Sequence, residues 1–368
     1  MNRRYSLFAS LLHLLLLMHA IACGGGGSSS SPAPQLTPEL VFEVPGVPVD
    51  IAFTPDGRLL IAELDTGQVR VSDGATLSPD PLAILPSSQT EGFGLLGLAI
   101  DPNFATNSNL YVSFVTEDDS AIQVARLIVT DSVATVDGLV LDALPVGGHS
   151  GGKLLASSDG LLYITTGDAG MPALAKDVSS FAGKVLRMHP DGTVPESNPI
   201  AGSPIFSLGF RNVFGITERS SDGRIFVSDN GPDCDDEVNI LVSGGDYGWE
   251  QDYACGVVGE LEVPPIYTLT PSTGITAVRF YEHTLHSALR GTLLVADFVT
   301  GSIRQLRLSS GARPAVLEEA FLLEPGGPSI LDVEVSPTGE IYFSTLGAVY
   351  RLVPAEAAEN LGSRDSNP

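Results

Sequence analysis

Between Glu39 and Pro354 the apolar residues come in short runs of Val, Ile, Leu and Tyr, cut every few positions by Gly, Pro or Asp-Gly. The spacing of an amphipathic helix is almost absent, and the runs have the length of strands. One unit recurs: an apolar strand, a tight turn of the Pro-Asp-Gly kind, a second apolar strand, then a Gly-bearing turn into a third. It reads Ile51-Ala-Phe-Thr-Pro-Asp-Gly-Arg-Leu-Leu-Ile-Ala62. It returns in 96–104 with 109–113, in 153–164 and in 214–227, then in diverged form in 275–280 with 291–296, and finally in 331–343. Asp-Gly and Thr-Gly suit the turn because it needs a positive φ, which glycine adopts at little steric cost. One such meander cannot bury both faces of its sheet. Stacked radially it shares a core with each neighbour, and copies about 45–60 residues apart match the period of propeller blades. The pattern predicts an all-β chain folded as a six-bladed β-propeller over residues 39–354. A pair of β-sandwiches is the rival arrangement.

The ends read differently. Arg3 and Arg4 precede an apolar stretch, Leu7 to Ile21, that is short for a membrane span. It runs into Ala20-Ile-Ala-Cys23 and a Gly/Ser/Pro-rich segment. Residues 1–22 resemble a bacterial lipoprotein signal peptide, with Cys23 as the lipidated first residue of the mature chain. An ordinary secretory signal is the alternative, since Ala20 stands where Leu is usual. Residues 23–38 read as a flexible tether and 355–368 as a disordered tail. Both readings of the N-terminus export the protein, to the periplasm or outer membrane, with membrane contact only through the anchor.

Charge narrows the partners. The 368 residues carry 44 Asp and Glu against 19 Lys and Arg, a formal net charge of -25. Nucleic acid and anionic lipid both need a basic surface, so neither is a partner. With Cys23 assigned to the anchor, Cys234 and Cys255 remain. In an exported chain they form a candidate disulfide, with two free thiols as the alternative.

The chemistry is concentrated around His149-Ser-Gly-Gly-Lys-Leu154 and Thr165-Thr-Gly-Asp168. An imidazole at the entrance to one strand, with a carboxylate just past the end of the next, is a candidate general base with its orienting partner. Read alone, the same His is a turn residue. Propeller geometry adds to the argument. Segments preceding the inner strand of each blade converge on one funnel, so His149, Arg211-Asn212 and Glu91-Gly-Phe-Gly94 can meet there.

Over roughly residues 40–354 the chain resembles the soluble PQQ-dependent sugar dehydrogenases, the glucose/sorbosone dehydrogenase family. The resemblance rests on Gly94–Phe104, His149–Leu154, Thr165–Asp168, Gly183–Arg187 with Pro190–Pro195, Gly209–Gly215, Asp229–Asn239 and Gly244–Trp249, in the family's order. It implies oxidation of an aldose hydroxyl to the lactone, with PQQ taking two electrons; the sequence does not specify the final electron acceptor. It implies that His149 is the general base, that Asp168 holds its imidazole, and that Arg211 stabilises the reduced quinone. Asn212 and Asn230 would contact PQQ. The backbone carbonyls of Gly231 and Pro232 would help hold Ca2+, a cation suited to oxygen ligands.

Departures from the family pattern define an alternative. Phe210 replaces the usual His, and Gly92 stands where an acid or amide is usual, with Glu91 one place off. Val299, Ser329 and Leu331 fall where some members clamp the PQQ carboxylates with Lys and Arg. Arg279 or Arg290 are the candidate substitutes. The alternative is a non-catalytic carbohydrate- or protein-binding propeller that has lost PQQ. Metal-dependent lactone hydrolysis has little support, as no cluster of metal-binding side chains is visible. Asp233, Asp235 and Asp236 read as part surface, part turn, Glu237 as structural, and Tyr247 and Trp249 as blade packing.

Overall fold

The structure is a computed structural model and describes residues 35–355. The segment read as a signal peptide, Cys23, most of the segment read as a tether and nearly all of that read as a tail lie outside the described residues. Strand β1 (Leu36–Glu43) leads into the first blade, β2 (Pro48–Phe53), β3 (Leu59–Glu63), β4 (Gln68–Ser72) and β5 (Ala83–Ile84). The second blade is β6 (Leu95–Ile100), β7 (Asn109–Val115), β8 (Ile122–Thr130) and β9 (Val133–Leu144). The third is β10 (Gly151–Ala156), β11 (Leu162–Thr166), β12 (Lys184–Met188) and β13 (Ile205–Leu208). The fourth is β14 (Val213–Arg219), β15 (Arg224–Asp229), β16 (Asp236–Ile240) and β17 (Tyr267–Leu269). The fifth is β18 (Ile275–Tyr281), β19 (Thr292–Asp297), β20 (Ile303–Leu308) and β21 (Val316–Leu323). The sixth combines β22 (Ile330–Val335), β23 (Ile341–Thr345) and β24 (Ala348–Pro354) with β1 as its outer strand. The six-bladed β-propeller expected from the repeat is the fold observed.

Closure is antiparallel pairing of the two chain ends, from Leu36 opposite Pro354 to Glu43 opposite Ala348. Strand β1 therefore begins inside the segment read as tether. Leu36, Thr37 and Pro38 pair with Pro354, Val353 and Leu352, contacts that no local composition announces.

Alternation along each strand sends successive side chains to opposite faces of a sheet, and each face meets a different neighbour. In β6 a β-bulge between Leu95 and Gly97 offsets this alternation by one residue, so that Leu95 and Leu98 both pack toward the first blade, with Val49 and Leu60. Leu96 and Ala99 pack toward the third, with Leu154 and Leu162. The hydrophobic core is thus six wedges, one between each pair of blades. Inner strands β2, β6, β10, β14, β18 and β22 contact one another in sequence around a closed ring. A cavity of 380 Å³ lies within that ring, with Asp50, Lys153, Arg279, Asp332 and Glu334 among its walls.

Candidate active site

The site is assembled where blades three and four present their inner-strand entrances. His149 lies two residues before β10 and Asp168 two residues after β11. The antiparallel pairing of Gly151 with Thr166 brings the two together. A short backbone approach makes this possible. Any Cβ at Gly167 would collide with the His149 main chain, and Gly151 adopts φ +62 against Thr166. Blade four is stitched on by a bridge between Gly167 and Asn212 and by the Asp168 amide donating to the Arg211 carbonyl at 2.8 Å.

His149 Nδ1 lies 2.7 Å from Asp168 Oδ1. Asp168 is 1% exposed and the imidazole 26%, so the carboxylate is the buried anchor and the ring reaches toward solvent. Asp168 Oδ1 also accepts the Gly170 amide at 2.7 Å, and Oδ2 accepts the indole N–H of Trp249 at 2.8 Å. Burial pushes this carboxyl up, but the donors from His149, Trp249 and Gly170 outweigh it and hold Asp168 below the usual carboxylate range. An ionised Asp168 can only accept. Nδ1 of His149 therefore carries the proton, and Nε2 is left with the lone pair.

Arg211 is held from two sides. Its Nη1 donates to the Asn230 carbonyl at 2.9 Å, and its guanidinium carbon lies 5.5 Å from the centroid of the Trp249 ring. Asp229 fixes the backbone beneath it, accepting the amides of Arg211 and Asn212. Burial drives the Asp229 carboxyl up to about 6 against those two amides and the Arg211 charge. Asp229 thus meets Arg211 through its backbone amide, while the guanidinium is engaged by the Asn230 carbonyl and the Trp249 ring.

Asn212 Oδ1 and Asn230 Oδ1 are both buried and accept no hydrogen bond. Such an atom costs about 1–3 kcal/mol unless a ligand, water or cation meets it. Turned over, either amide presents N–H to an anionic ligand instead. These two atoms fit the contacts that the resemblance implies for PQQ. Gly231 follows on the same loop; its amide donates to Asp236 at 3.0 Å, and a Cβ would overlap the Cys234 carbonyl. Pro232 is exposed. His149, Asp168, Arg211, Asn212 and Asn230 are therefore one connected group, with Gly231 and Pro232 adjoining it.

The departures have definite positions. Phe210 is fully buried and stacks on Tyr247, centroids 4.3 Å apart, so this change faces the core. Val299 is 69% exposed and Leu331 is buried, and neither carries charge. Arg279 pairs with Glu334 among the walls of the channel cavity, and Arg290 lies on the β18–β19 connection, at the opposite end of that blade from Val299. Neither replaces the expected clamp. Lys176 is spent on Glu262, Glu250 and Asp246, and Lys184 on three backbone carbonyls.

Tyr247 packs in the blade as expected, and its hydroxyl donates to the Ile240 carbonyl. Trp249 does not: its indole contacts both Asp168 and Arg211. The available signal was compositional: this is the chain's single Trp, in a Gly-rich segment. Cys234 and Cys255 form the disulfide, closing a loop that contains Trp249. Asp235 reinforces that loop by accepting the Tyr253 hydroxyl at 3.0 Å and the Gly256 amide.

A family model described as Glucose / Sorbosone dehydrogenase matches residues 46–352. Aldose sugar dehydrogenase YliI of Escherichia coli is 25% identical over 324 residues, 81% of this chain and 86% of its own length. A solved structure of a putative oxidoreductase (glucose dehydrogenase) from Thermus thermophilus has a TM-score of 0.78 at 32% identity, covering 86% of this chain and 100% of its own. PQQ-bound aldose sugar dehydrogenase from Streptomyces coelicolor has the same fold, with a TM-score of 0.74 at 24% identity over 87% and 99% of the two chains. Sheet closure, the order of the motifs and a family match spanning nearly the whole propeller agree: this chain belongs to the glucose/sorbosone dehydrogenase family.

Proposed function

We propose that the protein is a PQQ-dependent dehydrogenase that oxidises an aldose hydroxyl to the lactone. The observation that carries this reading is the His149–Asp168 contact at 2.7 Å, joined through one indole to the Arg211 guanidinium. PQQ, when bound, supplies a two-electron acceptor that no side chain here can replace. Asn212, Asn230 and Arg211 would hold it, and the Gly231 and Pro232 carbonyls would hold Ca2+ beside it.

The chain's own residues supply the proton handling. Nε2 of His149 takes the substrate hydroxyl proton while Asp168 keeps the ring in the Nδ1–H tautomer and offsets the imidazolium charge that forms. Arg211, prepositioned by the Asn230 carbonyl and the Trp249 face, offers fixed positive charge to an oxygen gaining negative charge. The disulfide supports export, and we propose tethering through a lipid on Cys23.

A second reading, a sugar- or protein-binding propeller without PQQ, is favoured by Val299, Ser329 and Leu331. The missing charge-assisted contacts are worth about 1.5–3 kcal/mol each. One experiment separates the two. Purified protein is given PQQ, Ca2+, a panel of aldoses and an artificial electron acceptor. Dye reduction is expected, falling about 100-fold or more in His149→Ala and in Arg211→Ala. No turnover, with no quinone absorbance retained after desalting, would establish the binding module instead.

A further inference from the structure

The indole of Trp249 joins the two halves of the site. Its N–H edge donates to Asp168 Oδ2 at 2.8 Å, the oxygen that His149 does not use. Its face lies under the Arg211 guanidinium at 5.5 Å. The ring is itself fixed. Its backbone amide donates to the Gly209 carbonyl at 2.9 Å, and its ring packs on Tyr253 at 5.1 Å between centroids. Gly209 lies two residues before Arg211, and the Tyr253 hydroxyl is anchored on Asp235 in the disulfide-closed loop. We propose that Trp249 is a positioning residue that sets the base pair and the cation in one mutual geometry, an inference that rests on the dehydrogenase reading.

Trp249 acts by restraint. A carboxylate held by His149 alone could rotate about its Cβ–Cγ bond and release the imidazole. With one oxygen tied to the Gly170 amide and the other to the indole, rotation breaks two hydrogen bonds. The guanidinium makes one hydrogen bond to a carbonyl, which leaves a long side chain free to swing about that contact. The aromatic face restricts the swing without consuming donors, so the remaining N–H groups stay available to a ligand. Neither contact touches the reacting atoms. Their effect passes through Asp168 and Arg211.

The test uses the full chain in two arms. Because Trp249 is the only Trp among the 368 residues, its emission reports this site alone when excited beyond tyrosine absorbance, and no cofactor is needed. Asp168→Asn replaces a charged acceptor by a neutral one, and Arg211→Ala removes the cation from the ring. Each is expected to shift the emission of the folded protein, with circular dichroism unchanged. The second arm is kinetic. Trp249→Phe keeps a ring and loses the N–H; kcat is expected to fall about tenfold with KM within about twofold. In an Asp168→Asn background the same change should alter kcat less than about twofold, because the residue it acts through is already altered.

Emission identical to the parent in both variants overturns the proposal, as do kinetic effects of Trp249→Phe and Asp168→Asn that simply multiply. If no aldose is oxidised at all, the dehydrogenase reading fails, and the emission arm alone decides whether one indole links the pair to the cation.

Discussion

At the scale of residues, the site depends on where carboxylates are left charged. Asp168 is buried yet held ionised by three donors, which suits a partner to an imidazole. Glu237, on β16 opposite Asp229, is in the reverse situation. Burial pushes its carboxyl up to about 8 from an ordinary 4.5; the Asn239 amide opposes that, and the charges of Asp229, Asp235 and Glu262 reinforce it. A carboxyl whose folded-state value lies above its unfolded value binds more protons folded than unfolded between the two. The stabilisation it gives is complete below 4.5 and is lost as pH rises through 8. Glu237→Gln removes that dependence. Its thermal midpoint in calcium-free buffer should exceed the parent's in alkaline solution and match it in acid. A constant difference at every pH would show that Glu237 titrates as an ordinary surface acid.

At the scale of elements, the important unit is the excursion between β16 and β17. It carries Trp249 out from blade four and back to the Asp168 carboxylate of blade three. Two features keep so long an excursion in place: the Cys234–Cys255 bridge and Asp235, which gathers the Tyr253 hydroxyl, the Gly256 amide and the Thr270 hydroxyl. Replacing both cysteines by Ser should lower stability by about 3 kcal/mol for a loop of this size, read by denaturant melts. The single-Trp emission should move toward that of solvated indole well before global unfolding. Loss of both signals in one transition would show that the loop has no independent opening and that Asp235 suffices to hold it.

At the scale of the whole molecule, closure of the ring puts charge into a central channel. Lys153 Nζ reaches the Val49 carbonyl at 2.7 Å and Asp50 Oδ1 at 3.1 Å, across from blade three to blade one. Asp50 Oδ2 in turn accepts the Leu98 amide of blade two, and Asp332 of blade six accepts the Ile51 amide. Four blades are thus cross-linked by two carboxylates and one ammonium. Burial is the largest influence on Asp50 and pushes its carboxyl well up, with Lys153 opposing. Lys153→Met leaves that carboxylate unpaired and should destabilise by about 3–5 kcal/mol, whereas adding Asp50→Asn should recover part of the loss. Chemical unfolding of the single and double variants checks this. A double variant no more stable than Lys153→Met would show that an unpaired Asp50 carboxylate is not the source of the loss.

The sequence alone determined the architecture and the positions of the groups that the candidate site brings together. Alternating apolar runs fix strand faces, glycine turns fix hairpins, and six copies of one unit leave a closed ring as the way to bury both faces of every sheet. The order of the motifs carried the family, and the His149 and Asp168 spacing carried their pairing across one hairpin. Three things were decided only by tertiary structure. The start of β1 depended on a partner strand at the other end of the chain, between Leu36 and Pro354. The contacts of Trp249 with Asp168 and Arg211 depended on a loop whose composition looks like ordinary blade packing. The uses of Arg279 and Phe210 depended on which way the neighbouring blade faces them. In each case the deciding contact lies between segments that have no local signal for one another, and only closure of the ring brings them within reach.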